Sequence, residues 1–299
     1  MLPPVIIFAY NRPEHLARLL KSLLKNKSKN FNKLYLFCDG PKNEQDKIKI
    51  LKIKKIISNT KIKFQKKVFR SKNIGLSKNI INGVSDVLKK NTSCIVLEDD
   101  LVLSNNCIKF MNYFLKKYKN SKNFGSISAH SYLKNFQTNK KFNYYITKRH
   151  SSWCWGTWAR VWKKMEWNKI NYNSHFKSFA ELRKFSEGGN DLNLLLWGQY
   201  KKYIDSWAIR FNYFCSKNDL ISLQPKIGMV KNLGRDFSGT HENFSFRKEN
   251  NFNFISNLNL KKSSNRILNR FDIDNYIKNS HRRSIRLALK YFIKNKKIL

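Results

Sequence analysis

The run Cys94-Ile95-Val96-Leu97 ends in three consecutive carboxylates, Glu98, Asp99 and Asp100. Four apolar residues in succession read as a fully buried strand. The acids therefore emerge at its carboxyl end, where open α/β sheets bind their ligands. Adjacent negative charges repel one another, and a hard divalent cation carrying a phosphate group relieves that repulsion through oxygen ligands. The plainer alternative is a solvated acidic turn before a helix that begins near Ser104 and Asn105.

The preceding residues alternate strand and helix. Val5 to Ala9 reads as a buried strand, Pro13 suits a first helical turn, and Leu16, Leu19, Leu20, Leu23 and Leu24 follow the helical period. The unit repeats with a strand from Leu34 to Cys38, the turn Asp39-Gly40-Pro41, and a helix from Ile48 to Ile57. Ile62, Phe64 and Val68 predict a third strand, and Ile80, Ile81, Val84, Val87 and Leu88 the helix leading to Glu98. This alternation predicts a mostly parallel sheet with right-handed crossovers. Further on, one helix is expected around Ile108 to Tyr118 and another from Leu192 to Phe214, with short strands at Leu220 to Leu223 and Ile227 to Val230.

Size and composition narrow the function classes. A chain of 299 residues with 41% hydrophobic and 14% aromatic content buries a substantial core and is not a disordered tail. The net charge of +41 invites a nucleic-acid reading, but 46 of the 60 basic residues are Lys and they are spread along the chain. That pattern is not the Arg-rich stripe of a specific nucleic-acid binder, so no specific nucleic acid is expected as partner. Five scattered cysteines form neither CxxC pairs nor zinc spacings, which fits free thiols in a reducing compartment. Val5 to Ala9 is too short for a signal peptide and no segment is long enough to span a bilayer. A cytoplasmic protein is expected, peripheral on the inner face of the membrane if its tail binds there. That tail, residues 278–299, carries eight basic residues and no acid, with Ile285, Leu289 and Phe292 on one helical face. It reads either as an interfacial helix on an anionic membrane surface or as a packed terminal helix with a solvated Lys face.

Three strand-end loops converge: Tyr10-Asn11-Arg12-Pro13, Asp39-Gly40-Pro41 and Glu98-Asp99-Asp100. With Asn73-Ile74-Gly75-Leu76-Ser77-Lys78 as the next strand-to-helix turn, they outline a nucleotide pocket in which Gly75 permits close backbone approach. Trp153, Trp155, Trp158 and Trp207 read as core or, as a group, as an apolar platform for sugar rings.

The ordered motifs PVIIFAYNRPEHL, LFCDG, NIGLSKNIINGV, IVLEDDLVLS, WCWGTWARVW, IDSW and GRDFSGTH resemble the GT-A fold glycosyltransferases. The likeness is to bacterial family 2-like sugar transferases and the catalytic core of N-acetylglucosaminyltransferase I. It implies an α/β fold with a Rossmann-like mixed sheet flanked by helices, an acceptor-binding C-terminal half and a basic amphipathic tail. The domain would span residues 1–243, with nucleotide-sugar binding in 1–120 and acceptor binding and catalysis in 121–243, followed by an extension over 244–299. The resemblance further implies an inverting transfer from a nucleotide-sugar donor, a UDP-sugar, to a glycan or glycolipid hydroxyl of lipopolysaccharide or capsule type. Arg12 and Asp39 would hold the uridine, Asp99 the ribose and Glu98 the sugar, with Asn11, Asn73, Gly75 and Lys78 completing the donor site. Asp100 would bind Mn²⁺ (or Mg²⁺), and Asp205 would be the base, with Asp191 and Glu187 as alternatives. His241 would line the pocket from a Gly-rich loop. Two rivals stay open: a sugar-nucleotide nucleotidyltransferase, and a basic nucleic-acid or membrane binder with a degenerate site.

Overall fold

The computed structural model describes residues 1–26, 31, 33–133, 136, 142–234 and 270–280. Strands β1 (Val5–Ala9), β2 (Leu34–Cys38), β3 (Lys66–Phe69) and β4 (Ser93–Glu98) run parallel in the order β3-β2-β1-β4. Helices α1 (Pro13–Lys25), α2 (Glu44–Asn59) and α3 (Leu76–Leu88) make the crossovers. The first two step the chain the same way along the sheet, so right-handed connections put α1 and α2 side by side on one face. The return from β3 to β4 carries α3 to the other face. β1 is buried along its whole length, as its unbroken apolar run requires of a strand covered on both sides.

After β4 the expected helix is delayed. A short strand, β5 (Leu101–Leu103), intervenes before α4 (Cys107–Lys117), because the alternating Leu101, Val102 and Leu103 bury two of three side chains against a partner strand. β6 (Phe124–Ser128), β7 (Tyr144–Thr147), β8 (Trp155–Trp158) and β9 (Ile221–Pro225) then extend the sheet to eight strands, order β3-β2-β1-β4-β8-β6-β9-β7. β8 is antiparallel to both β4 and β6, so the sheet is mixed.

Between β8 and β9 lie α5 (Ala159–Trp162), α6 (Tyr172–Lys177), α7 (Phe179–Ser186), α8 (Leu192–Tyr200) and α9 (Trp207–Lys217). The single helix expected from Leu192 to Phe214 is thus two. Lys202 takes φ 58°, in the left-handed region, and the Ser206 hydroxyl accepts from the Ile209 amide to start the second helix. The third strand begins at Lys66, so Ile62 and Phe64 precede it. β10 (Val230–Asn232) starts where the expected strand ended and pairs antiparallel with β5.

One core runs through both halves of the sheet, from Val5, Leu16 and Leu36 to Trp155, Phe211 and Leu223. All five cysteines are free and buried. The last described element, α10 (Arg270–Ser280), packs on β7: Ile273 and Ile277 join Leu133, Phe142 and Tyr145, and Thr147 donates to Asp274 at 2.8 Å. No helix among the described residues is long and apolar enough to cross a membrane.

Candidate active site

The carboxyl ends of β1, β2 and β4 bring their loops together, and side-chain to backbone bonds lock them. The Tyr10 amide donates to Asp99 at 3.0 Å, joining the β1 and β4 ends. Asp39 accepts from the amides of Gly40, Ile74 and Gly75, each at 2.9 Å. Asn73 donates to the Gly40 carbonyl at 2.9 Å. Asp39 and Asn73 therefore hold the loop before α3 against the end of β2. A carboxylate has about four acceptor sites, so one lone pair of Asp39 stays available to a ligand. Gly75 takes φ 84°, and the space where a Cβ would stand is open, so the first turn of α3 presents bare backbone outward. Lys78 is exposed in that same turn.

Arg12 faces Asp100, Nη1 to Oδ2, at 3.1 Å. The Leu233 amide donates to the Asp100 carbonyl at 2.7 Å, and a Cβ on Gly234 would stand 2.4 Å from Asp100 Oδ2. The β5–β10 pairing thus presses a glycine against the acidic loop where no larger residue fits. Burial and the charges of Asp100 and Asp99 push Glu98 up to about 8. Burial and Asp100 likewise raise Asp99 to about 7. Burial also lifts Asp100, against the opposing pull of Arg12. Asp100 Oδ1 is buried with no hydrogen-bond partner among the described residues. Among those residues no three His, Cys, Asp or Glu side chains converge as a ready-made metal cage.

A further acid supports this site without having been expected there. Asp46, buried in the first turn of α2, accepts from the Tyr10 hydroxyl, from Asn11 at 2.7 Å and from the Lys42 amide at 3.0 Å. Burial works against its ionisation, but those hydrogen bonds prevail and hold its carboxyl below the usual range. In the sequence Asp46 is one of two acids, with Glu44, at the start of a Lys-rich helix, and only its place in the first turn, three residues after Asn43, marks it as a cap residue.

The tryptophans divide. Trp155, Trp158 and Trp207 are at most 4% exposed, and Trp155 stacks on Trp207 at 4.6 Å, so these three are core and not a sugar platform. Trp153 is different. It precedes β8, beyond Cys154, whose φ of 45° ends the extended backbone, and it meets His130 edge-on at 4.4 Å. His130 in turn meets Tyr132 at 4.7 Å. These three half-buried rings stand at the same sheet end as the carboxylates, and no sequence period marks His130 or Tyr132.

The candidate bases also divide. Asp191 is buried in a two-point ion pair with Arg149, at 2.7 and 2.9 Å, and Glu187 pairs with Lys148. Asp205 precedes α9 with its side chain 61% exposed and meets Arg210 Nη2 at 2.9 Å. The same Arg210 nitrogen reaches the Ser77 hydroxyl, which ties Asp205 to the first turn of α3. His241 and residues 235–240 of the Gly-rich loop lie outside the described residues, as do 281–299 of the tail.

No curated protein matches the chain. Among solved structures, residues 1–349 of S. aureus TarS are 16% identical with a TM-score of 0.36, covering 55% of this chain and 48% of that one. The same fragment in complex with UDP is 14% identical with a TM-score of 0.37, covering 64% and 56%. HddC from Yersinia pseudotuberculosis is 11% identical with a TM-score of 0.35, covering 57% and 83%. The present chain spans about half the length of the first of these. Residues 5–181 match glycosyl transferase family 2, from β1 through α7. That match takes in each loop joined above, Tyr10 to Arg12, Asp39 to Gly75 and Glu98 to Asp100, over more than half of the sequence, and the chain belongs to glycosyl transferase family 2.

Proposed function

We propose that the protein is an inverting, metal-dependent glycosyltransferase that moves a sugar from a nucleotide donor, a UDP-sugar, to a hydroxyl of a cell-surface glycan or glycolipid. One observation carries the reading: Asp100 keeps a buried oxygen without a partner among the described residues, next to Glu98 and Asp99, two acids that burial and neighbouring negative charge hold above the usual carboxylate range. An unpaired buried oxygen is costly, and a divalent cation held there would supply the missing partner. The residues therefore fit Mn²⁺ or Mg²⁺ with Asp100 as the protein's ligand and the diphosphate supplying others. Bound there, the ion would offset the charge that develops on the departing diphosphate.

The chain's own residues do the rest. Asp39 and Arg12 face the uridine, the spare lone pair of Asp39 accepting from the base. Asp99 takes the ribose and Glu98 the donor sugar, with the open backbone at Gly75 and the exposed Lys78 bordering the phosphates. Trp153, with His130 and Tyr132, offers the sugar or acceptor an aromatic face at the sheet end where the carboxylates lie. Asp205 accepts the proton of the acceptor hydroxyl as it attacks, and Arg210 orients that carboxylate through one oxygen while the other faces solvent. Asp191 is a poorer base because the buried Arg149 holds both of its oxygens, whereas Glu187, like Asp205, is a partly exposed acid paired with one cation and is the nearer rival. Association of residues 278–299 with an anionic membrane would bring the enzyme to a lipid-linked acceptor.

A donor panel with Mn²⁺ tests the reading. Release of nucleoside diphosphate from one sugar nucleotide, stimulated by a glycan acceptor, is the expected result. Release of pyrophosphate from a nucleoside triphosphate and sugar phosphate would identify a nucleotidyltransferase instead.

A further inference from the structure

On the face of the sheet where α1 and α2 lie side by side, the two helices leave a groove of about 620 Å³. Its floor is apolar, from Leu20 and Leu24 of α1 and Ile56 of α2, and Lys21, Lys52 and Lys55 line its sides. Its acid, Glu14, lies at the end next to Arg12 of the candidate active site. Apolar surface is exposed at Leu24 in the groove and at Ile48 and Leu51 outside it. Leu24 is 52% exposed, Ile48 58% and Leu51 61%. Ile48, Leu51, Lys52 and Lys55 fall at i, i+3, i+4 and i+7 and so share one side of α2. Leucine and isoleucine this exposed, set among lysines on two adjacent helices, are not explained by the core beneath them.

We propose that the α1–α2 face docks on an anionic lipid bilayer, with Leu24, Ile48 and Leu51 entering the interface and Lys21, Lys52 and Lys55 at the headgroups. Charge complementarity identifies the occupant: the groove presents cations along its length, and lysine stems lie along apolar surface while their ammonium groups reach phosphate. A second copy of the chain would set the same lysines against these. An acidic partner helix would fill the groove and leave Ile48 and Leu51, which do not line it, in water. A bilayer covers groove and crest together. The face begins one residue from Arg12, so docking there would hold the site's mouth beside the membrane.

The test uses the full chain and vesicles, and it needs no enzymatic activity, so its failure is separate from failure of the transferase reading. Binding is measured by co-sedimentation with phosphatidylcholine vesicles, with and without phosphatidylglycerol, at low and high salt. Lys21→Glu, Lys52→Glu and Lys55→Glu together are expected to lower partition onto the anionic vesicles by at least roughly tenfold. Lys109→Glu, Lys116→Glu and Lys163→Glu, exposed on other elements, make the same change in net charge and are expected to cost roughly threefold or less. Leu24→Ser, Ile48→Ser and Leu51→Ser together are expected to remove the binding that survives high salt. Unchanged thermal melts, expected for exposed positions, show that each variant folds. Equal losses from the two lysine sets, or full binding by the serine set, would overturn the proposal. So would a self-associated state that the serine set converts to monomer, or binding of an acidic amphipathic peptide without binding of vesicles.

Discussion

Asp205 accepts from Arg210 at 2.9 Å, and the nitrogen that donates to it also reaches Ser77 in the first turn of α3. An exposed acid after α8 is thereby tied to the first turn of α3, beside the proposed donor site. A base assists only as the acceptor hydroxyl attacks, so its loss falls on turnover and spares donor binding. Asp205→Asn is expected to lower kcat by on the order of 10² or more, with donor affinity within about twofold of the parent. Steady-state kinetics beside calorimetric donor titration checks both halves. If Asp191→Asn gives that pattern and Asp205→Asn does not, the base is elsewhere.

Asp191 is expected to fail in a different way. It is the sole carboxylate bonded to the buried Arg149 among the hydrogen bonds described, and Arg149 also lies over the Tyr132 ring. Removing one partner of a buried pair strands the other charge, at a cost of about 3–5 kcal/mol. Asp191→Ala should therefore shift the denaturation midpoint strongly, while the fraction that stays folded binds donor normally. Weakened donor binding in a variant of undiminished stability would contradict the structural role.

Much of the fold of the first hundred residues was legible in the sequence because its signals are local. The unbroken apolar runs of β1 and β4 are each followed within a few residues by loops that meet at the carboxyl end of the sheet, so period and position coincide. What escaped were relationships across long separations. Nothing near Asp46 announces that it serves Tyr10 and Asn11, 36 and 35 residues away. Nor does the density of tryptophan around 153–162 say which ring faces out. The antiparallel register of β8 against β4 decides that, placing Trp153 beyond the strand and the rings of Trp155 and Trp158 inside. The split of the helix expected over 192–214 had a local cue, Asp205-Ser206 as a cap, which the apolar stripe of Ile204, Trp207 and Phe211 masked.

Asp46→Ala should connect fold and site. The change removes the acceptor for the Tyr10 hydroxyl, the Asn11 amide and the Lys42 amide and leaves those donors to find water. A cost of about 1–3 kcal/mol in stability is expected. Because Tyr10 and Asn11 lose their anchor, donor affinity should fall several-fold even where the protein is fully folded. Asp46→Asn, which keeps an acceptor oxygen, should recover part of both. A loss of stability with unaltered donor affinity would confine Asp46 to capping α2.

Asp100→Ala should abolish metal-dependent binding of UDP while leaving the protein folded, because the variant removes the one buried carboxylate oxygen that lacks a partner among the described residues. Calorimetric titration with UDP and Mn²⁺ reads this directly. Undiminished affinity would sink the metal assignment.

The pH dependence follows from the same cluster. Glu98 at about 8 and Asp99 at about 7 hold protons in the folded state that the unfolded chain has released by about pH 5. Where the native state binds more protons, stability falls as pH rises. Their contribution is therefore fully present at low pH and lost as pH climbs through 7 to 8. His150, lowered to about 4 by burial, works in the opposite sense, but its effect is complete above about pH 6.5. From about pH 6.5 to 8.5 the carboxylates pull stability down, and the buried thiols of Cys38 and Cys94, pushed up to about 12, join them as unfolded thiols ionise near pH 8.5, so comparison with Asp99→Asn singles out the carboxylates. In that window the melting temperature of the metal-free protein should decline, and Asp99→Asn should flatten the decline by removing one titrating group and its charge on Glu98. Adding Mn²⁺ with UDP should raise the melting temperature more at pH 8 than at pH 6.5, since the cation competes with protons for the same oxygens. A melting temperature that climbs across this window, or a ligand-induced gain that ignores pH, would show that the three acids do not titrate as a coupled, desolvated cluster.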